Sequence, residues 1–322
     1  MSDQVTVDAV IPVLNGFPEL KACIDGLLMQ SVQIRRIIIL DSGSTDGTLE
    51  YLQGIDRAMV IPVPPGTFNH GLTRNLGWQH SDADFLFYTV QDARAVHTEA
   101  LADLLRPFQD SEITGVCGRQ IVCHDPGHNP VEWFRPVSAP RLVRHQLTDA
   151  KAFDALSPEQ KRDLCGWDNV AAMYRRSAME ALPFRDRVFG EDLAWCVDAL
   201  RSGTAIAYQP SATFCHYHLE NPAFTLRRAL SSMFVRYRAL AFIHPAPVRS
   251  WKMLLRVIRL CFFQNDLSIS RKFYWLRYNL QRSRSLRQAH ALFHQALRSG
   301  DAGLDELYRA YIEHPHRPLK NG

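Results

Sequence analysis

The segment IIILDSGSTDGT, residues 37–48, joins four aliphatic residues to a loop of small and polar ones. A strand that is apolar on both faces is typical of a parallel sheet covered on both sides. The loop DSGSTDGT (41–48) lets backbone N–H groups and the carboxylate of Asp41 approach a polar ligand closely. An ordinary turn, in which Asp46 caps the next helix, explains the loop equally well. The segment therefore predicts a buried strand followed by a polar loop, which is either a ligand-binding loop or an ordinary turn.

Strand and helix patterns alternate over the first hundred residues. Strands are predicted at 5–11, 37–40, 58–63 and 84–89, and helices at 18–29, 49–53 and 72–79. This order predicts an α/β fold with a Rossmann-like, mostly parallel sheet flanked by helices. Ligands of such sheets bind beyond the carboxyl ends of the strands. Asn15, Asp41 and Asp92 each follow a predicted strand, so we expect them to meet at one edge of the sheet.

The later part of the chain divides into two regions. Further strands are predicted at 170–174 and 205–208 and a helix at 191–200, whereas 119–162 is predicted to be irregular. Beyond Pro222 the pattern becomes helical, with a break at HPAP (244–247). We therefore expect an α/β domain at 1–222 and a helical, basic C-terminal extension at 223–322.

Charge is unevenly distributed along the 322 residues. The formal net charge is +4, yet fifteen Lys or Arg and only one acidic residue lie between residues 224 and 300. Arg249, Lys252, Arg256 and Arg259 recur at helical spacing and so share one helical face. Such a helix could lie on an anionic membrane surface, or pack its apolar side on the α/β domain. No nucleic-acid-binding motif accompanies the charge, so we expect no nucleic acid partner.

Other features of the sequence exclude several classes of protein. The seven cysteines are odd in number and form no CxxC pair, which favours reduced thiols over a disulfide framework or a zinc site. The N-terminus MSDQVTVDAV lacks the features of a signal peptide. No apolar run approaches the length of about 18 residues that a spanning helix requires. A cytoplasmic protein is therefore expected.

Two further segments carry groups suited to ligand binding or catalysis. In FNHGLTRNLG (68–77), Arg74 could pair with a phosphate through two parallel hydrogen bonds, although an N-capped surface helix explains the segment nearly as well. In FGEDLAW (189–195), the two acids could simply satisfy the dipole of a helix N-terminus. Alternatively, Asp192 is a general base, Glu191 is structural and Trp195 is a platform for a sugar ring.

The segments QDA (91–93) and CHYH (215–218) could together hold a metal ion. In an extended segment, His216 and His218 point to the same side, and one of them could join Asp92 as a ligand. A packing or surface role is the alternative for such a pair of histidines.

These segments resemble the family 2 glycosyltransferases with the GT-A fold, and especially their bacterial rhamnosyltransferase branch. The resemblance covers roughly residues 5–235. It rests on VIPVLNG, DSGSTDGT, FNHGLTRN, QDA, GRQ (118–120), NPVE (129–132), DNVAAMYRRSAMEALPF (168–184), GEDLAW and HYH. Most metal-dependent members carry Asp-x-Asp, but here Val90 occupies the first position and only Asp92 is left. Rhamnosyltransferase-like enzymes commonly have QDA at this point.

The resemblance implies an inverting enzyme that moves L-rhamnose from dTDP-β-L-rhamnose to a hydroxyl of a lipid-linked glycan, as in O-antigen synthesis. Asp192 is then the catalytic base. Asp92, His216 and His218 are the expected ligands of Mg²⁺ or Mn²⁺ on the diphosphate. The residues expected to bind substrate are Pro12, Val13, Asn15, Asp41, Ser42, Asn69, His70, Arg74, Gln91, Glu191 and Trp195.

Within this set, Asp41 is expected to bind the imide N–H of the base, with the backbone around Pro12 and Val13 lining its pocket. Asn15 and Arg74 are expected near the ribose and the diphosphate. The enzyme is expected in the cytoplasm, as a peripheral protein on the inner face of the membrane. Two alternatives stay open: a UDP- or GDP-hexose donor, or an inactive GT-A scaffold in a polysaccharide assembly complex.

Overall fold

The computed structural model describes residues 5–133, 139–247, 250–263 and 267–313. The chain forms two compact units. The first contains Met1–Ile121 and Pro136–Tyr217, and the second contains Val122–Arg135 and His218–Gly322. The functional boundary expected after residue 222 stays a prediction.

The first unit is built on a mixed sheet, which has nine strands among the described residues. In chain order these are β1 (Val7–Val13), β2 (Ile34–Asp41), β3 (Ala58–Pro62), β4 (Phe85–Tyr88), β5 (Arg94–Ala95), β6 (Ile113–Ile121), β7 (Val143–His145), β8 (Ala172–Arg175) and β9 (Ala205–Cys215). Their spatial order is β3-β2-β1-β4-β8-β6-β9-β5, with β7 paired to β9. The prediction of an α/β sheet flanked by helices is confirmed.

The first four strands run parallel. Strands β1, β2 and β4 are largely apolar and buried on both faces, as is typical of a parallel sheet, whereas β3 at the edge is partly exposed. Ile11 of β1 packs in one core cluster with Leu20 of α1 (Glu19–Leu28). Its neighbour Val10 meets Gly77 of α3 (His70–Gln79), where an added Cβ would come within 2.5 Å of the valine. Consecutive strand residues point to opposite faces, so helices cover both sides of the sheet.

The direction of the remaining strands determines which of their ends lie at the same edge of the sheet as the carboxyl ends of β1, β2 and β4. Strand β8 is antiparallel to both β4 and β6, so β6 runs in the same direction as β4. Strand β9 is parallel to β6. The carboxyl ends of β1, β2, β4, β6 and β9 and the start of β8 therefore lie along one edge of the sheet.

The stretch predicted to be irregular, 119–162, contains regular elements, so that prediction is wrong. It includes the end of β6, β7, α5 (Ala150–Asp154) and most of α6 (Pro158–Leu164). Helix α6 starts at a capping box between Ser157 and Gln160. The other helices of this unit are α2 (Thr48–Leu52), α4 (Ala100–Leu105), the 3₁₀ turn Arg106–Gln109, α7 (Arg176–Ala181) and α8 (Glu191–Arg201).

The second unit is helical, as the sequence predicts. Its helices are α9 (Pro222–Leu240), α10 (Ser250–Phe262), α11 (Ile269–Arg298) and α12 (Gly300–Tyr311). Leu230, Phe293 and Leu304, from three of these helices, share one core cluster. Residues 241–247, which include HPAP, form no regular element, and Arg249 lies outside the described residues. No helix in the described part of the chain combines the length and apolarity needed to cross a membrane.

The cysteines differ in part from expectation. Cys23, Cys117, Cys165, Cys196 and Cys261 are free and buried. Cys123 and Cys215 are disulfide-bonded. The expectation of seven reduced thiols is therefore wrong for these two residues.

Candidate active site

The loops after β1 and β2 are hydrogen-bonded to each other at the edge of the sheet formed by the carboxyl ends of the strands. Asn15 has a φ of 49°, a left-handed conformation that asparagine adopts more readily than most residues. Its Oδ1 accepts a hydrogen bond from Thr45 N at 2.8 Å, and its N donates to Ser44 Oγ at 2.9 Å. The buried carboxylate of Asp41 accepts from Gly43 N at 3.0 Å and from Ser44 Oγ at 2.5 Å. These bonds hold Asp41 and Asn15 in one rigid loop pair.

Asp46 lies one residue before Gly47, the N-cap of α2, and binds the first residue of the helix, so the turn interpretation is borne out only in part. Its carboxylate accepts from Thr48 Oγ1 at 2.6 Å, Thr48 N at 3.1 Å and Phe17 N at 3.0 Å. The hydrogen bond from Thr48 is the main reason that the pKa of Asp46 is lowered. Asp46 thus fastens the start of α2 to the loop after β1.

Four of the predicted binding residues lie around the end of β1. Ser42 N donates to Val13 O at 2.9 Å, directly after the half-buried Pro12. The amide of Gln91 accepts from Leu14 N at 3.0 Å and donates to Leu14 O at 3.3 Å, as a neighbouring strand would. The Oγ of Ser42 is buried and has no hydrogen-bond partner among the described residues. A buried donor of this kind is costly unless a ligand or water pairs with it.

Asp92, His216 and His218 each place one possible metal ligand atom within 4.8 Å of the others. His216 Nε2 lies 3.4 Å from Asp92 Oδ1, and its Nδ1 lies 2.9 Å from Gln120 Nε2. A metal-binding histidine usually donates its other ring N–H to an acceptor, so a metal on Nε2 requires the Gln120 amide to turn its oxygen, rather than its nitrogen, toward Nδ1. One carboxylate with imidazoles suits Mn²⁺, and Mg²⁺ can use the carboxylate together with water and phosphate oxygens. The donor set therefore fits a divalent ion that keeps open positions.

Asn69 caps helix α3. Its Oδ1 accepts from Gly71 N and Leu72 N, both at 3.0 Å, and its Nδ2 donates to Asp186 at 2.7 Å. A Cβ on Gly71 would lie 1.8 Å from Arg185 O, so the start of α3 packs closely against the backbone of Arg185. The helix is N-capped, as one interpretation predicts. The substrate-binding role of Asn69 stays a prediction.

Arg74 is buried and pairs with Glu191. Its Nη1 lies 3.2 Å from Glu191 Oε1 and 2.9 Å from His70 Nδ1. The His70 ring is flanked by the half-exposed rings of Phe68 and Phe189, with centroid distances of 4.9 and 6.1 Å. The guanidinium that the sequence assigns to a phosphate is thus held within the protein, beside the start of α8.

A chain of hydrogen bonds supports Glu191 from the opposite side. Asn169 Nδ2 donates to Glu191 Oε1 at 3.0 Å, and Tyr174 OH donates to Asn169 Oδ1 at 2.6 Å. Trp167 Nε1 in turn donates to Tyr174 OH at 2.8 Å. Burial alone would raise the pKa of Glu191, but Arg74, together with His70 and Asn169, lowers it below the usual value. Glu191 is therefore ionised at neutral pH.

Asp192, the next residue, has the opposite electrostatic environment. Burial and, second, the charge of Glu191 raise the pKa of Asp192 to about 8, with Asp168 adding to the effect. Among the described residues its only hydrogen bond is to Leu193 N, at 2.7 Å. The side chain is half-buried rather than enclosed. A carboxylate with these properties can accept a proton near neutral pH.

Trp195 lies in the core, contrary to the predicted role as a sugar platform. Its side chain is only 1% exposed, and its ring contacts Tyr174 and Trp167 at centroid distances of 4.6 and 5.5 Å. The indole N–H donates to Leu182 O at 2.9 Å. A Cβ on Gly115 would come within 2.7 Å of the indole. Because no ring face is open to a sugar, the platform role is corrected to a packing role.

No role is predicted from the sequence for two residues that contact the candidate catalytic and metal-binding side chains. Asn169 holds Glu191, and Gln120 holds His216. Both lie within segments that carry the family resemblance, DNVAAMYRRSAMEALPF and GRQ. Their chemical partners come from remote parts of the chain, so the segments alone could not show what these amides contact.

The chain matches known glycosyltransferases in sequence. The family described as "Glycosyl transferase family 2" matches residues 8–182. The O-antigen chain rhamnosyltransferase RfbN of Salmonella typhimurium is 26% identical over 219 residues, which cover 67% of this chain and 68% of that protein. The O-antigen chain rhamnosyltransferase WbaN of Salmonella anatum is 30% identical over 203 residues, 60% of each chain.

Solved structures share the fold at low sequence identity. A mannosyltransferase from Pyrobaculum calidifontis, in complex with GDP-Man and Mn²⁺, has a TM-score of 0.54 at 15% identity and covers 98% of this chain and 89% of its own. TarS 1-349 of S. aureus with UDP-GlcNAc has a TM-score of 0.53 at 13% identity, covering 90% and 92%. Because the family match spans more than half of the 322 residues, this chain belongs to glycosyl transferase family 2 and is a glycosyltransferase with the GT-A fold.

Proposed function

We propose that this glycosyltransferase moves L-rhamnose from dTDP-β-L-rhamnose, with inversion, to a hydroxyl of a lipid-linked glycan acceptor in bacterial surface polysaccharide synthesis. The O-antigen rhamnosyltransferases of Salmonella support the choice of sugar. The observation that carries the mechanism is the half-buried Asp192, whose pKa is raised to about 8 beside an ionised Glu191. The enzyme would act at the inner face of the cytoplasmic membrane, where a lipid-linked acceptor is presented.

In the proposed reaction Asp192 is the general base. The acceptor oxygen attacks the anomeric carbon, and Asp192 takes the proton of the acceptor hydroxyl. The bond between that carbon and the diphosphate oxygen breaks, and dTDP leaves with the bonding electrons. Glu191 is committed to Arg74 and Asn169, so it orients the start of α8 rather than receiving the proton.

The donor is proposed to bind across the loops at the end of β1 and β2. Asp41 would accept a hydrogen bond from the thymine imide, with the backbone of Pro12 and Val13 beside the base. Asn15 and Ser42 would lie near the ribose and diphosphate, and the buried, unpartnered Ser42 hydroxyl is consistent with a polar ligand there. Gln91 would act by holding the backbone of this loop.

The segment around α3 is proposed to serve the donor less directly. Arg74 is enclosed with Glu191, so its contribution to the diphosphate site would come mainly through the position of that carboxylate. Asn69 would fix the start of α3, and His70 would present its ring between two aromatic side chains. Both are therefore proposed to shape the donor site rather than to react.

Asp92, His216 and His218 are proposed to hold Mg²⁺ or Mn²⁺ at the donor diphosphate. When bound, such an ion neutralises the charge that develops on a leaving diphosphate. Gln120 would keep the His216 ring in its orientation. Val90 supplies no ligand, which is acceptable because a diphosphate and water can complete the coordination.

A deoxysugar donor is also consistent with the aromatic rings next to Glu191. Phe68 and Phe189 are half-exposed around His70, and such apolar surface suits the methyl group of rhamnose better than a hydroxymethyl group. Apolar contacts of this kind give limited discrimination, at most about 10²-fold. Phe189→Ser should therefore lower the preference for dTDP-rhamnose over dTDP-glucose by roughly tenfold. An unchanged preference would argue against this contact.

The decisive experiment measures transfer and donor hydrolysis with purified protein and a panel of dTDP-rhamnose, UDP-GlcNAc and GDP-mannose. Asp192→Asn should lower kcat by about 10²–10⁴-fold with little change in donor Kd. The matched control Asp56→Asn changes an exposed aspartate near the start of β3 and should leave kcat unchanged.

Each outcome of this experiment distinguishes one proposal. An Asp192→Asn variant that keeps kcat within about threefold of wild type, far less than a base normally contributes, contradicts the base assignment. Turnover of a UDP- or GDP-sugar alone replaces the donor. No turnover of any donor, with Mg²⁺ or Mn²⁺ present, favours the inactive scaffold.

A further inference from the structure

The helical hairpin of α10 and α11 ends in large apolar side chains that face solvent. Phe263, Ile269 and Phe273 are 77%, 74% and 58% exposed, and we call these three residues the apolar tip. Trp251 and Leu255, also exposed, extend the apolar surface along α10. Large apolar side chains that are exposed close together in the chain often mark a binding site on a soluble protein. The tip therefore calls for a partner.

The exposed residues are not displaced parts of the core, because the opposite side of each helix is already packed. Val257 and Cys261 of α10 and Trp275 of α11 are buried. The two helices also contact each other next to the tip. The rings of Phe262 and Phe273 meet edge to face at 5.4 Å, and Lys272 Nζ donates to Phe262 O at 3.0 Å. The apolar tip therefore lies next to side chains that pack and hydrogen-bond between α10 and α11.

Cationic side chains are exposed on the same two helices. Lys252, Arg256 and Arg259 are exposed on α10, and Arg271 and Arg277 are exposed on α11. The described residues from 224 to 300 include no Asp or Glu. The described parts of α10 and α11 therefore offer positive charge without acidic partners of their own, and the one acidic residue of this stretch, Asp266, lies between the two helices in sequence, outside the described residues.

The combination of properties selects one kind of partner. A second copy of this chain would bring the same cations against each other, and such like-charge contacts oppose association. Nucleic acid would use the cations but would gain nothing from an aliphatic and aromatic tip. An anionic lipid bilayer uses both, because apolar side chains enter the interface while Lys and Arg meet the headgroups.

We propose that the α10–α11 hairpin docks this protein on anionic phospholipid bilayers by inserting the apolar tip below the headgroups. Lys252, Arg256 and Arg259, with Arg271 and Arg277, bind the headgroup phosphates. This inference does not depend on the identity of the sugar donor, and it names the residues that make the contact.

The test is vesicle flotation of the full chain with vesicles of phosphatidylcholine alone or with 30% phosphatidylglycerol, the latter at low and at physiological salt. Phe263→Ser/Ile269→Ser should lower the partition coefficient for anionic vesicles by at least about tenfold, because two large apolar groups are lost. The matched control Met29→Ser/Leu142→Ser removes two apolar residues of the first unit that are 69% and 48% exposed. It should bind vesicles like wild type. Turnover with a water-soluble acceptor checks that each variant is folded.

The results that overturn the proposal are specific. Wild-type protein that fails to float with anionic vesicles at low salt refutes it, as does an equal loss in the tip and control variants. Equal binding to neutral vesicles, without salt dependence, refutes the role of the cations. If sedimentation shows a dimer that only the tip variant disrupts, without vesicle binding, the tip is an interface between copies instead.

Discussion

Replacing Glu191 with glutamine should lower the pKa of Asp192 and move the acidic limb of the pH profile to lower pH. The pKa of Asp192 is raised to about 8, first by burial and second by the charge of Glu191. Glutamine keeps the shape of Glu191 and can still accept from Asn169, so burial changes little and the negative charge is removed. Arg74, which lowers the pKa of Asp192, then acts without an opposing carboxylate.

The size of the effect follows from Coulomb's law. Two unit charges about 6 Å apart at an effective dielectric constant of about 20 interact by about 3 kcal/mol. At 1.36 kcal/mol per pKa unit, this corresponds to about two units. The pKa of Asp192 should therefore fall from about 8 to about 6 in Glu191→Gln. A base works in its charged form, so kcat/KM at low pH, relative to the plateau, should rise.

The assay is kcat/KM for donor turnover between pH 5 and pH 9, which reports the pKa values of the free enzyme. Arg74→Lys is the informative companion variant, because it keeps the positive charge beside Glu191 while disturbing the same buried contact, so its limb should stay near that of wild type. Glu191→Gln breaks the buried ion pair and should lose stability, by about 3–5 kcal/mol for a buried pair. Loss of stability alone cannot move the pH limb of one variant and leave that of the other in place.

Two results would refute this reasoning. If Glu191→Gln leaves the limb where it is in wild type, the titrating group is not Asp192 or the two carboxylates do not interact. If Arg74→Lys moves the limb as far as Glu191→Gln does, the pKa of Asp192 is not governed by the charge of Glu191.

Three further predictions concern the metal site and the core. Wild-type activity should be lost in excess EDTA and return with Mn²⁺, whereas the activity of Asp92→Ala should no longer respond to EDTA or Mn²⁺. Full wild-type activity in EDTA would contradict the metal role. Gly71→Ala should lower the free energy of unfolding by more than about 2 kcal/mol, because its Cβ would lie 1.8 Å from Arg185 O, and Gly54→Ala, where the nearest atom is 3.6 Å away, is the control. Trp195→Ala should cost about 3–5 kcal/mol in urea unfolding; a cost below about 1 kcal/mol would contradict its core position.

The sequence predicts the parallel half of the sheet well, because strands such as β2 are apolar on both faces and are followed by polar loops. It predicts the shared edge of Asp41 and Asp92 for the same reason. The secondary structure of 119–162 is harder to predict from sequence, because its helices are short and its strands lack an apolar run. Even there, the capping box of Ser157 and Gln160 is a local signal that predicts the start of α6.

Side-chain environment could be predicted less well than position. Trp195 lies one turn after Asp192, and its place on the helix is compatible with either a ligand or the core. Its burial depends on Gly115 of β6, about 80 residues earlier in the chain. This glycine has no side chain and so leaves room for the indole. A contact of that kind depends on how β6 and α8 pack, and no spacing within GEDLAW encodes it.

The different roles of Glu191 and Asp192 follow from their partners rather than from their residue type. Both are carboxylates at the first turn of α8, where the helix dipole favours negative charge. Arg74, His70 and Asn169 lower the pKa of Glu191. For Asp192, burial and the charges of Glu191 and Asp168 raise the pKa by more than the Leu193 N–H and Arg74 lower it. Environments that separate two pKa values in this way separate a fixed charge from a proton acceptor. The ion pair with Arg74 therefore serves catalysis through Glu191, by keeping one carboxylate ionised beside the other.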